Sequence, residues 1–259
     1  MTILEKIVAY KKEEVAFQQK QVETAKLKDM PGFSRKCFSL TENLGTRTGI
    51  IAEFKRRSPS KDIINSHSGV EEVTEAYASH GASGISVLTD NHFFGGSLQD
   101  FALARKQVAP LLRKDFMISD YQLLESKAHG ADVILLIAAI LSPGQVNEYA
   151  HMAKELGMES LLEIHNEDEL KHVDAAVSMV GINNRNLNNF KVDIQQSINL
   201  KEKLPEGKLA IAESGIYELS IFNKLKSAGF DGFLMGEFFM KEKSPADAFK
   251  KFTEQINYL

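Results

Sequence analysis

Apolar residues occur along this chain in short unbroken runs, and several of the runs end on a polar residue able to carry chemistry. The clearest are Ile50-Ile51-Ala52-Glu53-Phe54-Lys55, Leu111-Leu112-Arg113-Lys114, Leu161-Leu162-Glu163 and Ala210-Ile211-Ala212-Glu213-Ser214-Gly215. Continuous runs suit parallel strands covered on both faces, whereas alternation marks a sheet with one wet face. Amphipathic stretches between the runs close on Gly81, Gly130, Gly157 and Gly229, each just ahead of the next apolar run. Glycine takes up the left-handed conformation past a helix end without steric cost, so each marks a helix-to-strand junction. Helix starts complement these ends. Ser68-Gly69-Val70-Glu71 and Ser142-Pro143-Gly144-Gln145 have capping-box form, and Asn166 precedes three acids suited to a first helical turn.

Strands are expected near 49–54, 84–88, 110–114, 132–138, 159–164, 179–183, 208–213 and 232–236. Eight strands alternating with helices predict an α/β fold, a (β/α)8 TIM barrel, whose active site is built at the C-terminal ends of the strands. An open doubly wound sheet is the structural alternative, but no strand is followed by its glycine-rich dinucleotide fingerprint. The first 48 residues do not fit the repeat. Leu4, Ile7, Val8 and Val15 form an apolar face opposite Lys11, Lys12, Glu13 and Glu14, which predicts an amphipathic N-terminal helical extension (residues 1–48) packed on a single barrel domain spanning 1–259.

Composition narrows the function classes. At 259 residues, 43% hydrophobic and 25% charged, the chain can close one large core. A formal net charge of −4 with interspersed signs gives no nucleic-acid footprint. The longest apolar run, Val133 to Leu141, is too short to span a bilayer, and Met1 to Lys12 has no signal-peptide core. Cys37 is the only cysteine, which suits reducing cytosol. A cytoplasmic protein without membrane or nucleic-acid partners is expected.

The polar strand ends then become the candidate site. Glu53 and Lys55 lie two apart on a strand and share one side, followed by a basic loop in which Ser58 and Ser60 offer hydroxyl donors for an anion. Ser214-Gly215 after the seventh strand and Gly236-Glu237 after the eighth occupy the loops that commonly hold phosphate in this fold. Lys114, Glu163, Asn183 and Arg185 end strands three, five and six. An ammonium beside carboxylates in a partly desolvated cup can serve in acid–base chemistry. Salt bridging or a solvated loop are the plainer readings of the same residues. Histidines 129, 151 and 165 show no ligand spacing, so no metal is expected and surface or capping roles are assigned to them. Phe93, Phe94, Phe238 and Phe239 either wall an aromatic substrate or pack the core.

Taken in order, these segments closely resemble the indole-3-glycerol-phosphate synthase family of tryptophan biosynthesis. The resemblance rests on Ile51 to Lys55 with Ser58-Pro59-Ser60, Leu88-Thr89-Asp90 with Phe94 to Leu98, Leu112 to Phe116, Tyr121-Gln122, Gly130 to Ile137, Leu162-Glu163, Gly181 to Leu187, Ala212 to Ile216 and Gly236. It covers essentially the whole chain, extension included. One departure is Asp62, which follows Lys61 where the family usually has glycine.

The resemblance implies ring closure of 1-(2-carboxyphenylamino)-1-deoxyribulose 5-phosphate with loss of carbon dioxide and water, without a metal or organic cofactor. By likeness Lys114 is the general acid, and Lys55 holds the anthranilate carboxylate and shares proton delivery. Glu163 serves the dehydration, Glu53 and Asn183 position it, and Glu213 and Ser214 orient the polyol and ring. Ser58, Gly215, Gly236 and Glu237 are implied at the phosphate site, with Arg185 near the substrate's anionic groups. The likeness also implies that the extension packs on the charged rim, and no fused isomerase domain is expected. A monomer or weak homo-oligomer is expected. Phosphoribosylanthranilate isomerase is the nearest rival, disfavoured because Cys37 lies outside the strands. A non-catalytic phosphate-binding barrel is disfavoured by the number of charges that would be desolvated without use.

Overall fold

A computed structural model describes residues 1–59, 61–186 and 191–257. Eight parallel strands close in sequence order: β1 (Ile50–Phe54), β2 (Gly84–Leu88), β3 (Leu111–Lys114), β4 (Val133–Ile137), β5 (Glu159–Ile164), β6 (Met179–Asn183), β7 (Leu209–Glu213) and β8 (Gly232–Met235), the last pairing with the first. Three helices precede the barrel: α1 (Ile3–Gln21), α2 (Thr24–Asp29) and α3 (Leu40–Thr46). Between and after the strands come α4 (Val70–Ser79), α5 (Leu98–Ala104), α6 (Asp120–Ala128), α7 (Pro143–Glu155), α8 (Ile194–Lys201), α9 (Leu219–Ser227), α10 (Glu237–Met240) and α11 (Pro245–Asn257). The connection from β5 to β6 carries only a 3₁₀ segment, Glu167–His172. This is the expected TIM barrel with a helical extension.

The unbroken apolar runs follow from burial on both faces. Ile51, Leu112, Val133, Leu135, Leu161, Met179, Ile211 and Leu234 fill the barrel interior. Their sequence neighbours, such as Ile50, Ala52, Ile134, Leu162 and Ala212, face the surrounding helices. The four junction glycines all have positive φ, between 73° and 89°, as a left-handed helix end requires.

Two helix starts differ from expectation. Ser142 forms its capping box with Gln145, but α4 begins at Val70, two residues after Ser68, with no side-chain cap. The Asn65 carboxamide instead accepts the N–H groups of His67 and Ser68, ordering that turn so that Gly69 becomes the helix N-cap. Asn166 likewise makes no side-chain cap and heads the 3₁₀ segment, its amide reaching Glu169 at 3.0 Å.

The extension reaches both ends of the barrel. Ile3, Leu4 and Ile7 of α1 line the pocket at the C-terminal ends of the strands. At the opposite end Leu40 and Leu44 of α3 join the interior core, close to Gly84 and Gly232 at the starts of β2 and β8. Between them Val15 and Leu27 pack with Tyr121 and Ala128 of α6. The expected polar face of α1 needs correction at one position: Lys11 is 1% exposed. Its ammonium lies 2.9 Å from both Asp90 and Asp115 and 2.7 Å from Glu14. Among the described residues no helix is long and apolar enough to cross a membrane.

Candidate active site

Strand register brings the polar strand ends together. Lys114 pairs in register with Leu88, Glu163 with Ile137, and Asn183 with Glu213, so adjacent strands finish at one level. All twelve residues expected at the site and described by the structure border one pocket at that level. Ser60 lies outside the described residues.

On β1, Glu53 is buried and accepts from the Lys55 ammonium at 2.7 Å and from the Ser86 hydroxyl at 3.4 Å. At the centre the Lys114 ammonium donates to Glu163 Oε2 at 2.7 Å and to Glu213 Oε2 at 3.0 Å. Glu163 Oε1 accepts from the Asn183 amide at 3.0 Å, and Asn183 Oδ1 takes the Arg185 N–H at 3.0 Å, which fixes the amide's orientation. The imidazole of His165 approaches the same Glu163 oxygen at 3.1 Å. Sequence reading gave His165 a surface or capping role. The missed signal is alternation, because a residue two beyond Glu163 emerges on the same side of the chain.

Glu213 has the least conventional surroundings. Its carboxylate is 1% exposed and Oε1 has no hydrogen-bond partner. Space for that oxygen exists because position 181 is glycine, where a Cβ would stand 2.0 Å from it. Ser214 follows with φ of 65°, left-handed backbone that a non-glycine residue adopts at some cost. The Asn184 amide holds this turn by donating to the Ser214 carbonyl at 2.7 Å. Gly215 also has positive φ. Gly236 does not, and its requirement is space, since a Cβ there would meet the Glu53 side chain at 2.7–3.1 Å.

At the mouth, Glu237 accepts from Lys61 at 2.6 Å and from Arg185 at 3.5 Å, while Arg185 also reaches the Tyr217 hydroxyl. The side chain of Glu237 therefore organises cations. Ser58 and Lys61, in the loop after β1, exchange backbone hydrogen bonds at 2.8 and 3.0 Å. Phe94, Phe116 and Phe238 give the pocket aromatic walls. Phe239 is fully buried against Tyr77 and Phe249, and Phe93 packs edge-on with Tyr10 and His92, so these two are packing residues.

Electrostatics sort the central groups. Burial works against the Lys114 ammonium, but Glu163, Glu213 and Glu53 outweigh it and hold its pKa above the ordinary lysine value. Burial likewise opposes ionisation of Glu163, yet Lys114 and His165 keep it well below the carboxylate range. His165 is desolvated too, but hydrogen bonding to Glu163 and Glu169 raises it to about 10. Glu213 is pushed up to about 7, by burial first and then by Glu163 and Glu53, with Lys114 pulling the other way. A retained proton on lysine, an ionised carboxylate and a carboxyl poised near neutrality share one desolvated cup. Such a set can donate and accept protons on one bound molecule.

The family model for indole-3-glycerol phosphate synthase matches residues 4–252. The chain belongs to the indole-3-glycerol phosphate synthase family. Among curated members it is 43% identical to the indole-3-glycerol phosphate synthase of Bacteroides thetaiotaomicron, with 98% of each chain covered. It is 40% identical to that of Salinibacter ruber, covering 97% of this chain and 95% of the relative. Among solved structures, a chain of the tryptophan synthase complex from Pyrococcus furiosus superposes with a TM-score of 0.58 over 82% of this chain and 99% of that one. At 15% identity this last likeness concerns the barrel fold alone.

Proposed function

We propose that the protein closes the indole ring, converting 1-(2-carboxyphenylamino)-1-deoxyribulose 5-phosphate to indole-3-glycerol phosphate, carbon dioxide and water. The observation that carries this reading is the Lys114 ammonium held between Glu163 and Glu213 in a pocket with aromatic walls. The aromatic carbon bearing the carboxylate attacks the ketone carbon, and the ketone oxygen becomes strongly basic as the new bond forms. Lys114 delivers its proton to that oxygen. Glu163, Glu213 and Glu53 keep the ammonium protonated at neutral pH, so the proton this step needs is in place before substrate binds.

Ring closure leaves a cationic ring that accepts the electron pair released as carbon dioxide departs, so no metal or organic cofactor is required by the chemistry. Dehydration then removes a proton from the carbon next to nitrogen while the hydroxyl, protonated by the Lys55 ammonium, leaves as water. Glu163 takes that proton, held for the task by Asn183 on one oxygen and by Lys114 on the other. Lys55 binds the substrate carboxylate and shares proton delivery, with Glu53 orienting its ammonium. Glu213 and Ser214 orient the polyol and ring. Ser58, Gly215, Gly236 and the backbone of Glu237 hold the phosphate, with Arg185 beside it. The phosphorylated substrate fits a cytoplasmic enzyme made of one barrel unit over 1–259, a monomer or weak homo-oligomer with no nucleic-acid partner.

The decisive experiment mixes purified protein with the carboxyphenylamino substrate and follows indole fluorescence. Emission that grows in proportion to protein is expected. Its absence in well-folded protein would overturn the reading.

A further inference from the structure

We infer that Lys11 of α1 is a positioning residue, tying the loop after β2 to the loop after β3 so that Phe94 and Lys114 stand correctly in the pocket. Its ammonium is buried behind the pocket wall, 2.9 Å from Asp90 Oδ2 and 2.9 Å from Asp115 Oδ1. Each aspartate is in turn built into one loop. Asp90 Oδ1 accepts the N–H groups of Phe93 at 2.7 Å and Phe94 at 3.3 Å. Asp115 Oδ1 accepts the N–H of Phe116 at 2.8 Å, and Asp115 is the residue immediately after Lys114. The two loops also meet through Phe94 and Phe116, whose ring centroids are 5.9 Å apart.

The division of partners explains why this lysine is the clasp. Asp115 Oδ2 is already held within the barrel by Arg113 and the Thr89 hydroxyl. Asp90 Oδ2 faces Lys11, which therefore bridges a carboxylate fixed to the barrel and one that folds the neighbouring loop. The ammonium also lies 2.7 Å from Glu14 Oε2 on its own helix, and without it Asp90, Asp115 and that buried oxygen would face one another uncompensated and the loops would move apart. Buried ion pairs contribute little net stability compared with apolar replacements, while their directionality can select one arrangement. Removing the lysine alone strands its carboxylates and lowers Tm as well, so the readout that marks positioning is turnover measured well below Tm.

This inference rests on the proposed ring closure, and the test keeps the two separable. Turnover and KM for the carboxyphenylamino substrate are measured well below Tm for the unaltered protein, Lys11→Met, Lys11→Arg and a core control, Leu225→Ala, lying on α9 away from the pocket. Lys11→Met is expected to lose about 10- to 100-fold in kcat/KM, with kcat lower and KM higher, as displaced catalytic groups do. Lys11→Arg should recover at least about a third of the lost activity on a logarithmic scale, since it restores the charge. Leu225→Ala should lower Tm and leave both constants within about twofold. Lys11→Met within about twofold of the unaltered protein, or Lys11→Arg no better than Lys11→Met, overturns the inference. If Lys11→Met fails to fold, Lys11→Gln is judged by the same thresholds. An unaltered protein that forms no indole removes the proposed function and the inference with it, whereas an active one with an indifferent Lys11 removes only the inference.

Discussion

Carboxylates are enclosed by hydrogen-bond donors at both ends of this barrel, but they are satisfied differently. At the N-terminal end Asp132, fully buried just before β4, receives Arg35, Arg105 and the backbone N–H groups of Phe38 and Leu111 at 2.8 Å each. Glu159 opens β5 and accepts the Ser39 and Thr41 hydroxyls at 2.6 and 2.7 Å and the N–H groups of Leu40 and Thr41. Every oxygen there has two donors, half of them backbone. At the C-terminal end Glu213 leaves one buried oxygen unpartnered and shares Lys114 with Glu163. A saturated carboxylate has nothing left for a ligand, so it fastens α3 and the strand starts. An unsaturated one in a desolvated cup retains capacity that a substrate can use.

Two substitutions would break this contrast if it is wrong. Lys114→Ala should depress turnover by about 10²- to 10⁴-fold with substrate affinity nearly unchanged, the signature of a lost general acid. Its Tm should change little, because Glu163 and Glu213 can then share a proton. Asp132→Ala should do the reverse. It strands two arginines and two backbone donors, so unfolding in urea should show a loss of about 3 kcal/mol or more, while kcat/KM of the folded fraction stays within about twofold. A Lys114→Ala variant that loses stability yet keeps its turnover would erase the distinction between the two ends.

The parts of this arrangement that were legible in the sequence are those governed by local rules. Strands β1 to β8 could be read because burial on both faces leaves an unbroken apolar run, and the helix ends because glycine alone takes φ near 80° cheaply. The strand-end charges were legible for the same reason, since a Glu or Lys closing an apolar run is costly unless used. Other features depend on long-range register. Lys11 sits beside Lys12, Glu13 and Glu14 and reads as solvated, and only the placement of Asp90 and Asp115 against α1 buries it. The recess for Glu213 is made by Gly181 on the neighbouring strand, a pairing that no local pattern reveals. His165 fell between the two cases, because its alternation with Glu163 was visible while its packing was not.

The smallest expected effect sharpens the comparison most, because it reads the unsatisfied carboxylate directly. Folding raises the Glu213 pKa from the ordinary 4.5 to about 7, so the folded protein binds that proton more tightly than the unfolded chain. Below 4.5 both states are protonated and Glu213 is neutral in its effect. As pH climbs toward 7 the unfolded chain ionises first, stability falls, and above 7 the loss is complete and constant. Glutamine cannot ionise and escapes this loss. Glu213→Gln should therefore gain Tm relative to the unaltered protein between pH 5 and pH 8, by about 2–4 °C for each kcal/mol involved. Glu163→Gln provides the opposite sign, because Glu163 is held well below the carboxylate range and its ionised form stabilises the fold throughout that window. Thermal melts of the three proteins at pH 5 and pH 8 measure both. A Glu213→Gln difference that ignores pH would mean that Glu213 stays ionised and fully paired, as a structural carboxylate does, and the two ends of the barrel would then be alike.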